Sequence, residues 1–250
     1  SEPVHNLVHR EIVEPAGSTF SSQRAEDEQE SEFLASRDHW FRPTMLKTGP
    51  DGALYVADMY RRVIEHPEWV PDDWEAKLDV RAGDDRGRIY RVFPRGATLR
   101  PVPNLAALAT DELAAAVDSP YRWQRDTAQR VLIERGDMAA VEPLKKVARA
   151  GTHPAGRLQA LCTLDGLDQL SAELLQHSLE DEHPAVRRHA VRLSERRLNE
   201  SPELGAAVLQ RTEESDPQVL LQVAYTLGEW DDPRSGQALG RMWADHAGEE

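Results

Sequence analysis

Histidines, cysteines and clustered carboxylates are the side chains that hold metals or attack substrates, and this 250-residue chain has nine histidines and one cysteine. His5 and His9 stand four residues apart, which on a helix places both on one face. Val4, Leu7 and Val8 around them favour an extended or irregular segment, which spreads them apart. His66 precedes Pro67 and is held to extended backbone by the proline ring. No carboxylate or cysteine falls at a ligand-like interval from these histidines, so no metal site is expected. Asp51, Asp84 and Asp85 lie in turns, where a carboxylate either takes calcium or bonds its own backbone. Residues 83–87 lack the Lys-Ser/Thr ending and the following helix of a phosphate loop. No Gly-x-Ser-x-Gly elbow is present, and Cys162, between Leu161 and Leu164, reads as a buried structural thiol. A single cysteine also excludes an internal disulfide framework, a Cys-rich zinc site and a CxxCH haem attachment. No catalytic residue is assigned.

The elements that position these side chains change character near residues 94–103. Before that point the chain reads as short strands with long connections. Residues 42–48 lead into the turn Gly49-Pro50-Asp51-Gly52, and residues 53–57 leave it as a strand. A further strand is expected over residues 88–93. Residues 18–32 are polar and acidic and read as a surface loop or a short exposed helix. Beyond Pro103 the pattern is helical and repeats: Pro120, Pro154, Pro184 and Pro217 are separated by 34, 30 and 33 residues. Each opens an amphipathic segment, with Pro suited to a first helical turn and Asp118, Asp181 and Asp216 upstream as caps. Ala128, Ala160, Ala190 and Ala224 are expected on the buried faces. Second helices are expected over 138–150, 170–179, 203–211 and 235–243. A period of this length built from helix pairs predicts an α-solenoid, the alternative being an irregular helical bundle.

Charge narrows the partners. The chain has 30 Lys and Arg against 44 Asp and Glu, a net charge of -14, and a pI near 5.1. That charge repels phosphate backbones, so no nucleic-acid partner is expected. No apolar run nears the ~18–20 residues that span a bilayer. The start at Ser1 shows no basic and apolar regions of a secretory signal.

Residues 110–247 resemble HEAT repeats of the short bacterial kind. Residues 4–10 (VHNLVHR), 32–43 (EFLASRDHWFRP), 49–61 (GPDGALYVADMYR), 63–69 (VIEHPEW) and 87–91 (GRIYR) resemble the membrane-bound dehydrogenase family of planctomycete-type bacteria. That resemblance implies the last blades of a β-propeller similar to soluble quinoprotein glucose/sorbosone dehydrogenases, followed by HEAT repeats. It gives a mixed fold, β then α, with a partial propeller over 1–100 and a HEAT-repeat α-solenoid over 104–250. It implies oxidation of a sugar or alcohol with pyrroloquinoline quinone in a periplasmic or cell-envelope protein, with haem c outside this chain. A blade takes about 40–50 residues, so residues 1–100 hold about two, and the chain is expected to be inactive alone.

In that family an arginine shortly before a Pro-Asp-Gly turn reaches the cofactor, so the resemblance implies cofactor contact by Arg42. Arg42 stands eight residues before Pro50, further than the family spacing. It implies a place near the propeller rim for Asp58, Tyr60 and Arg61. The structural alternatives are that Arg42 pairs with Asp38 or Asp58, and that Asp58 braces nearby arginines. Trp40, Phe41, Trp69 and Trp74 suit either a sugar-stacking platform or the filling between blades. The rival to an enzyme is an interaction protein whose propeller and solenoid bind a protein or polysaccharide.

Overall fold

The computed structural model describes residues 1–245, the side chain at position 67 excepted. The chain forms two compact units. One contains Ser1–Glu14 and Phe20–Pro103, the other Pro15–Thr19 and the chain from Asn104 onward. Residues 246–250, the end of the span read as repeats, lie outside the described residues.

The first unit is built on short strands: β1 (Leu7–Val8), β2 (Glu11–Ala16), β3 (Thr19–Arg24), β4 (Leu34–Ala35), β5 (Pro43–Thr48), β6 (Leu54–Asp58) and β7 (Arg88–Val92), with one short helix, α1 (Asp72–Glu75). β1 pairs with β4, β2 with β3, and β5, β6 and β7 form an antiparallel meander in chain order. The turn between β5 and β6 is the Gly-Pro-Asp-Gly sequence. Gly49 donates its N–H to the Ala53 carbonyl at 2.8 Å, and Asp51 accepts the Ala53 N–H at 3.0 Å. Side chains alternate across the meander. Val56 and Asp58 are buried on one face, whereas Met45, Ala57 and Ile89 lie in register on the other. Met45 is 63% and Ile89 72% exposed, so this face carries one exposed apolar row beside the polar row Lys47, Tyr55 and Arg91.

Residues 18–32 differ from the expected loop or helix: they hold strand β3 and a 3-10 turn at Glu26–Glu28. Both strands of the β2–β3 hairpin are exposed along nearly their whole length, so neither face needs apolar residues and no period-two pattern marks them.

The second unit is helical: α2 (Thr110–Ala115), α3 (Arg122–Arg135), α4 (Val141–Ala150), α5 (Pro154–Gly166), α6 (Ala172–Leu179), α7 (Pro184–Ser194), α8 (Pro202–Gln210), α9 (Pro217–Gly228) and α10 (Pro233–Asp245). α3, α5, α7 and α9 stack side by side in one layer, and α4, α6 and α8 in another. The repeating pairs bury a continuous leucine-rich core that includes Leu132, Leu161, Leu175 and Leu204. Ala128, Ala160 and Ala190 are fully buried where the helices approach. Ala224 is only half-buried, and Val223 takes the buried place. Val223 stands six residues after Pro217, as Ala160 stands after Pro154 and Ala190 after Pro184, so the expected alignment was one residue late in this copy. Pro120 does not itself open a helix, since α3 starts two residues later at Arg122.

Candidate functional site

In the first unit the side chains singled out from the sequence converge on the ends of β5 and β6. Asp58, at the end of β6, is buried; its Oδ1 accepts the backbone N–H of Arg42 at 2.8 Å and of Tyr60 at 2.9 Å. Its Oδ2 is buried without a hydrogen bond, and the Arg88 Nε lies 3.8 Å away. Tyr60 takes a left-handed φ of 51°, a conformation uncommon outside glycine. The turn is packed by Gly83, where a Cβ would fall 2.2 Å from the Tyr60 carbonyl oxygen. The Tyr60 hydroxyl donates to Asp38 at 2.9 Å, and the Arg88 guanidinium lies 3.7 Å from the centre of the Tyr60 ring. The Trp40 backbone N–H, and then the Tyr60 hydroxyl, hold the Asp38 carboxyl below its ordinary range. The same hydrogen bond to Asp38 raises Tyr60.

Arg42 points elsewhere. Its Nε donates to the Arg61 carbonyl at 2.9 Å, one Nη to Pro3 at 2.9 Å and Val4 at 3.2 Å, and the other Nη to Arg62 at 3.1 Å. The expected side-chain pairing with Asp38 or Asp58 is therefore replaced by a clamp on four carbonyls, because these are the acceptors that reach its fork. Arg61 donates to the Arg81 carbonyl at 2.9 Å. Lysine cannot reproduce a fork of this kind. Arg42→Lys is expected to lower the unfolding free energy by about 1–3 kcal/mol, read from a urea titration.

Pyrroloquinoline quinone presents carboxylates, which require free cationic donors. Arg42 spends its donors on the backbone, and the buried Asp58 carboxylate repels an anion. Arg42 and Asp58 do not fit that group. Asp51, the turn acid, is also occupied: it accepts the Ala53 N–H, the Tyr55 hydroxyl at 3.1 Å and the Arg91 guanidinium. Burial pushes the Asp51 carboxyl up, but these bonds outweigh it and leave it below its usual value. Among the described residues, no three His, Cys, Asp or Glu side chains group as a metal would need. Trp40 stands 5.7 Å from Tyr60 and Phe41 5.8 Å from Tyr90, ring centre to ring centre, while Trp69 and Trp74 are exposed and join neither.

His9, whose spacing from His5 suggests only a ligand, ties the hairpin down instead. Its Nδ1 lies 2.8 Å from Glu32 and its Nε2 3.2 Å from Glu11. Hydrogen bonds to Glu32 first and Glu11 second raise its pKa above 6.5. The protonated tie contributes fully below the unfolded value and is lost as pH rises through the higher folded value. An NMR titration should place the His9 midpoint above 6.5 in the folded chain, and a midpoint at or below that value removes the tie.

In the second unit the turns before the first helices carry a ladder that reaches from each repeat to the next. Asp118 accepts the N–H groups of Thr152 at 2.6 Å and His153 at 3.0 Å. Gly156 leaves the room this needs, since a Cβ there would fall 2.1 Å from Asp118 Oδ1. Arg157 pairs in a fork with Asp181 at 2.7 and 2.8 Å, and Arg187 with Glu214 at 2.8 and 2.9 Å. Leu220 holds the corresponding position in α9. Asp118 and Asp181 thus tie repeats together in place of capping their own helices, whereas Asp216 caps α9 through the Gln218 and Val219 N–H groups, both at 3.0 Å. The prolines and arginines of the repeat were visible in the sequence. The reach of each arginine into the next turn was not, because it depends on how neighbouring pairs stack.

Two similarities to known families agree with this division. Residues 1–96 are similar to a domain of unknown function (DUF7133), and residues 171–250 to HEAT repeats. No curated protein matches the chain. The helical half is a repeat scaffold whose residues 171–250 are similar to HEAT repeats, a class commonly used to hold protein partners. No helix among the described residues is long and apolar enough to cross a membrane.

Proposed function

We propose that the chain is the binding and spacing portion of a dehydrogenase of the membrane-bound kind, joining the end of a quinoprotein-like β-propeller to a HEAT-repeat scaffold. In this reading the whole protein works in the periplasm or cell envelope, oxidises a sugar or alcohol and passes the electrons to a c-type haem domain. The observation that carries it is the β5–β6–β7 meander. Propeller blades are antiparallel sheets of about four strands that pack face to face, and this sheet leaves Met45 and Ile89 exposed in one apolar row with Ala57 between them. The strand-then-repeat order supports the same reading. Pyrroloquinoline quinone, if this family's cofactor is used, is held by residues other than Arg42 and Asp58.

Purified residues 1–250 should oxidise neither sugars nor alcohols with added pyrroloquinoline quinone, while a longer form carrying further blades should do so. Turnover by the chain alone misplaces the site, and a longer form that neither binds quinone nor oxidises any alcohol sinks the enzyme. The second reading, an interaction protein without catalysis, is favoured by one observation: the Arg42 fork is committed to backbone carbonyls.

A further inference from the structure

Helix α7 carries two sets of arginines with different surroundings. Arg187, and Arg197 just beyond the helix, pair with Glu214 and Asp165. Arg188 and Arg192, four residues apart on α7, share its other side, and Arg196 follows four residues further on in the 3-10 turn Glu195–Arg197. Among the described residues no carboxylate lies within ion-pair distance of these three. Arg188 donates to the Gln218 side chain at 2.6 Å, and Arg192 and Arg196 are exposed. With 44 acids to 30 bases in the chain, three uncompensated arginines in a row are the reverse of what composition alone supplies.

The neighbouring helix adds apolar surface. Tyr225 of α9 is 63% and Leu221 38% exposed, and both border a cavity of about 230 Å3 with Arg188, His189 and Arg192. Burial first, and then Arg192 and Arg188, hold the His189 pKa down at about 4, so its ring is neutral and the positive charge there belongs to the arginines. Guanidinium forks match carboxylates, and arginine and tyrosine are the residues enriched where proteins meet.

We propose that the α7–α9 face binds an acidic peptide segment of a partner protein, its carboxylates on Arg188, Arg192 and Arg196 and an apolar side chain against Leu221 and Tyr225. A long polyanion is disfavoured by the chain's net charge of -14, which surrounds these three arginines with repulsion. The cavity is lined by repeat residues and by Ser18 of the β2–β3 turn, all within the helical unit, so the site stands or falls independently of the dehydrogenase reading.

The probes are fluorescein-labelled synthetic peptides of Glu-Glu-Leu repeats and their Lys-Lys-Leu counterparts, with heparin as a non-protein polyanion, titrated against residues 1–250. The acidic peptide should bind, weaken with added salt, and lose about tenfold or more in affinity to Arg188→Gln combined with Arg192→Gln. Tyr225→Ala should also weaken it, whereas Arg130→Gln, on an exposed arginine already paired with Glu134, should not. Circular dichroism confirms that each variant keeps its helices. No binding, equal binding of the lysine peptide, or indifference to both the arginine pair and Tyr225 overturns the proposal. Tighter binding of heparin through the same arginines overturns it too, making them a general polyanion site.

Discussion

Asp181→Ala is expected to lower the unfolding free energy of the helical unit by about 3–5 kcal/mol, the cost of removing one partner from a buried ion pair. Arg157 is 7% exposed, and its fork faces the Asp181 carboxylate at 2.7 and 2.8 Å. Only the Gly151 carbonyl at 3.0 Å and the exposed Glu182, at 3.3 Å, remain to it once the aspartate is gone. The substitution also releases the His183 N–H that Asp181 accepts at 2.9 Å. Urea unfolding followed by circular dichroism measures the loss. Adding Arg157→Met should recover a large part of it, because the stranded charge leaves with the arginine. A loss below about 1 kcal/mol in the single variant would mean that the pair is no more than an exposed surface bridge.

Asp58→Ala should be the corresponding blow to the strand unit, by roughly 2–6 kcal/mol at 1–3 kcal/mol for each of the two donors left without an acceptor. The Arg42 and Tyr60 N–H groups both end on Asp58 Oδ1, and the second of them holds a residue in the left-handed region. Asp58→Asn keeps an acceptor in place and removes a buried charge whose other oxygen has no hydrogen bond. It should therefore cost much less than alanine. Equal losses for alanine and asparagine would place the energy in the charge, through Arg88 at 3.8 Å, and not in the two N–H bonds.

What was legible in the sequence depended on whether a residue's role is local. Pro154, Pro184 and Pro217 announce helix starts because a proline's missing N–H is harmless only there, and all three open helices. Gly49-Pro50-Asp51-Gly52 announces a turn for equally local reasons, and it joins β5 to β6. The β2–β3 hairpin escaped because strands wetted on both faces carry no alternation to read. Arg42 escaped because its partners, at Pro3, Val4, Arg61 and Arg62, are backbone carbonyls, which every residue has and no pattern can distinguish. Asp118 reads in the sequence as a cap for the helix that follows it, but the N–H groups it serves belong to the next repeat, 34 and 35 positions along.

The ladder along the first-helix turns also sets how the scaffold responds to load. Asp118 to Thr152 and His153, Arg157 to Asp181, and Arg187 to Glu214 lie one after another, each spanning a single junction, so tension along that edge passes through them in series and none can relieve its neighbour. At the opposite edge α4, α6 and α8 meet mainly through apolar side chains, and the ties that cross there, Arg149 to Glu173 and Arg211 to Glu180, end on exposed carboxylates, so that edge slides more easily. Such a stack bends more readily than it stretches, with the tied edge acting as the inextensible seam and the greasy edge as the compliant one. At Leu220 the seam runs out of rungs, and compliance passes to whatever lies against α9.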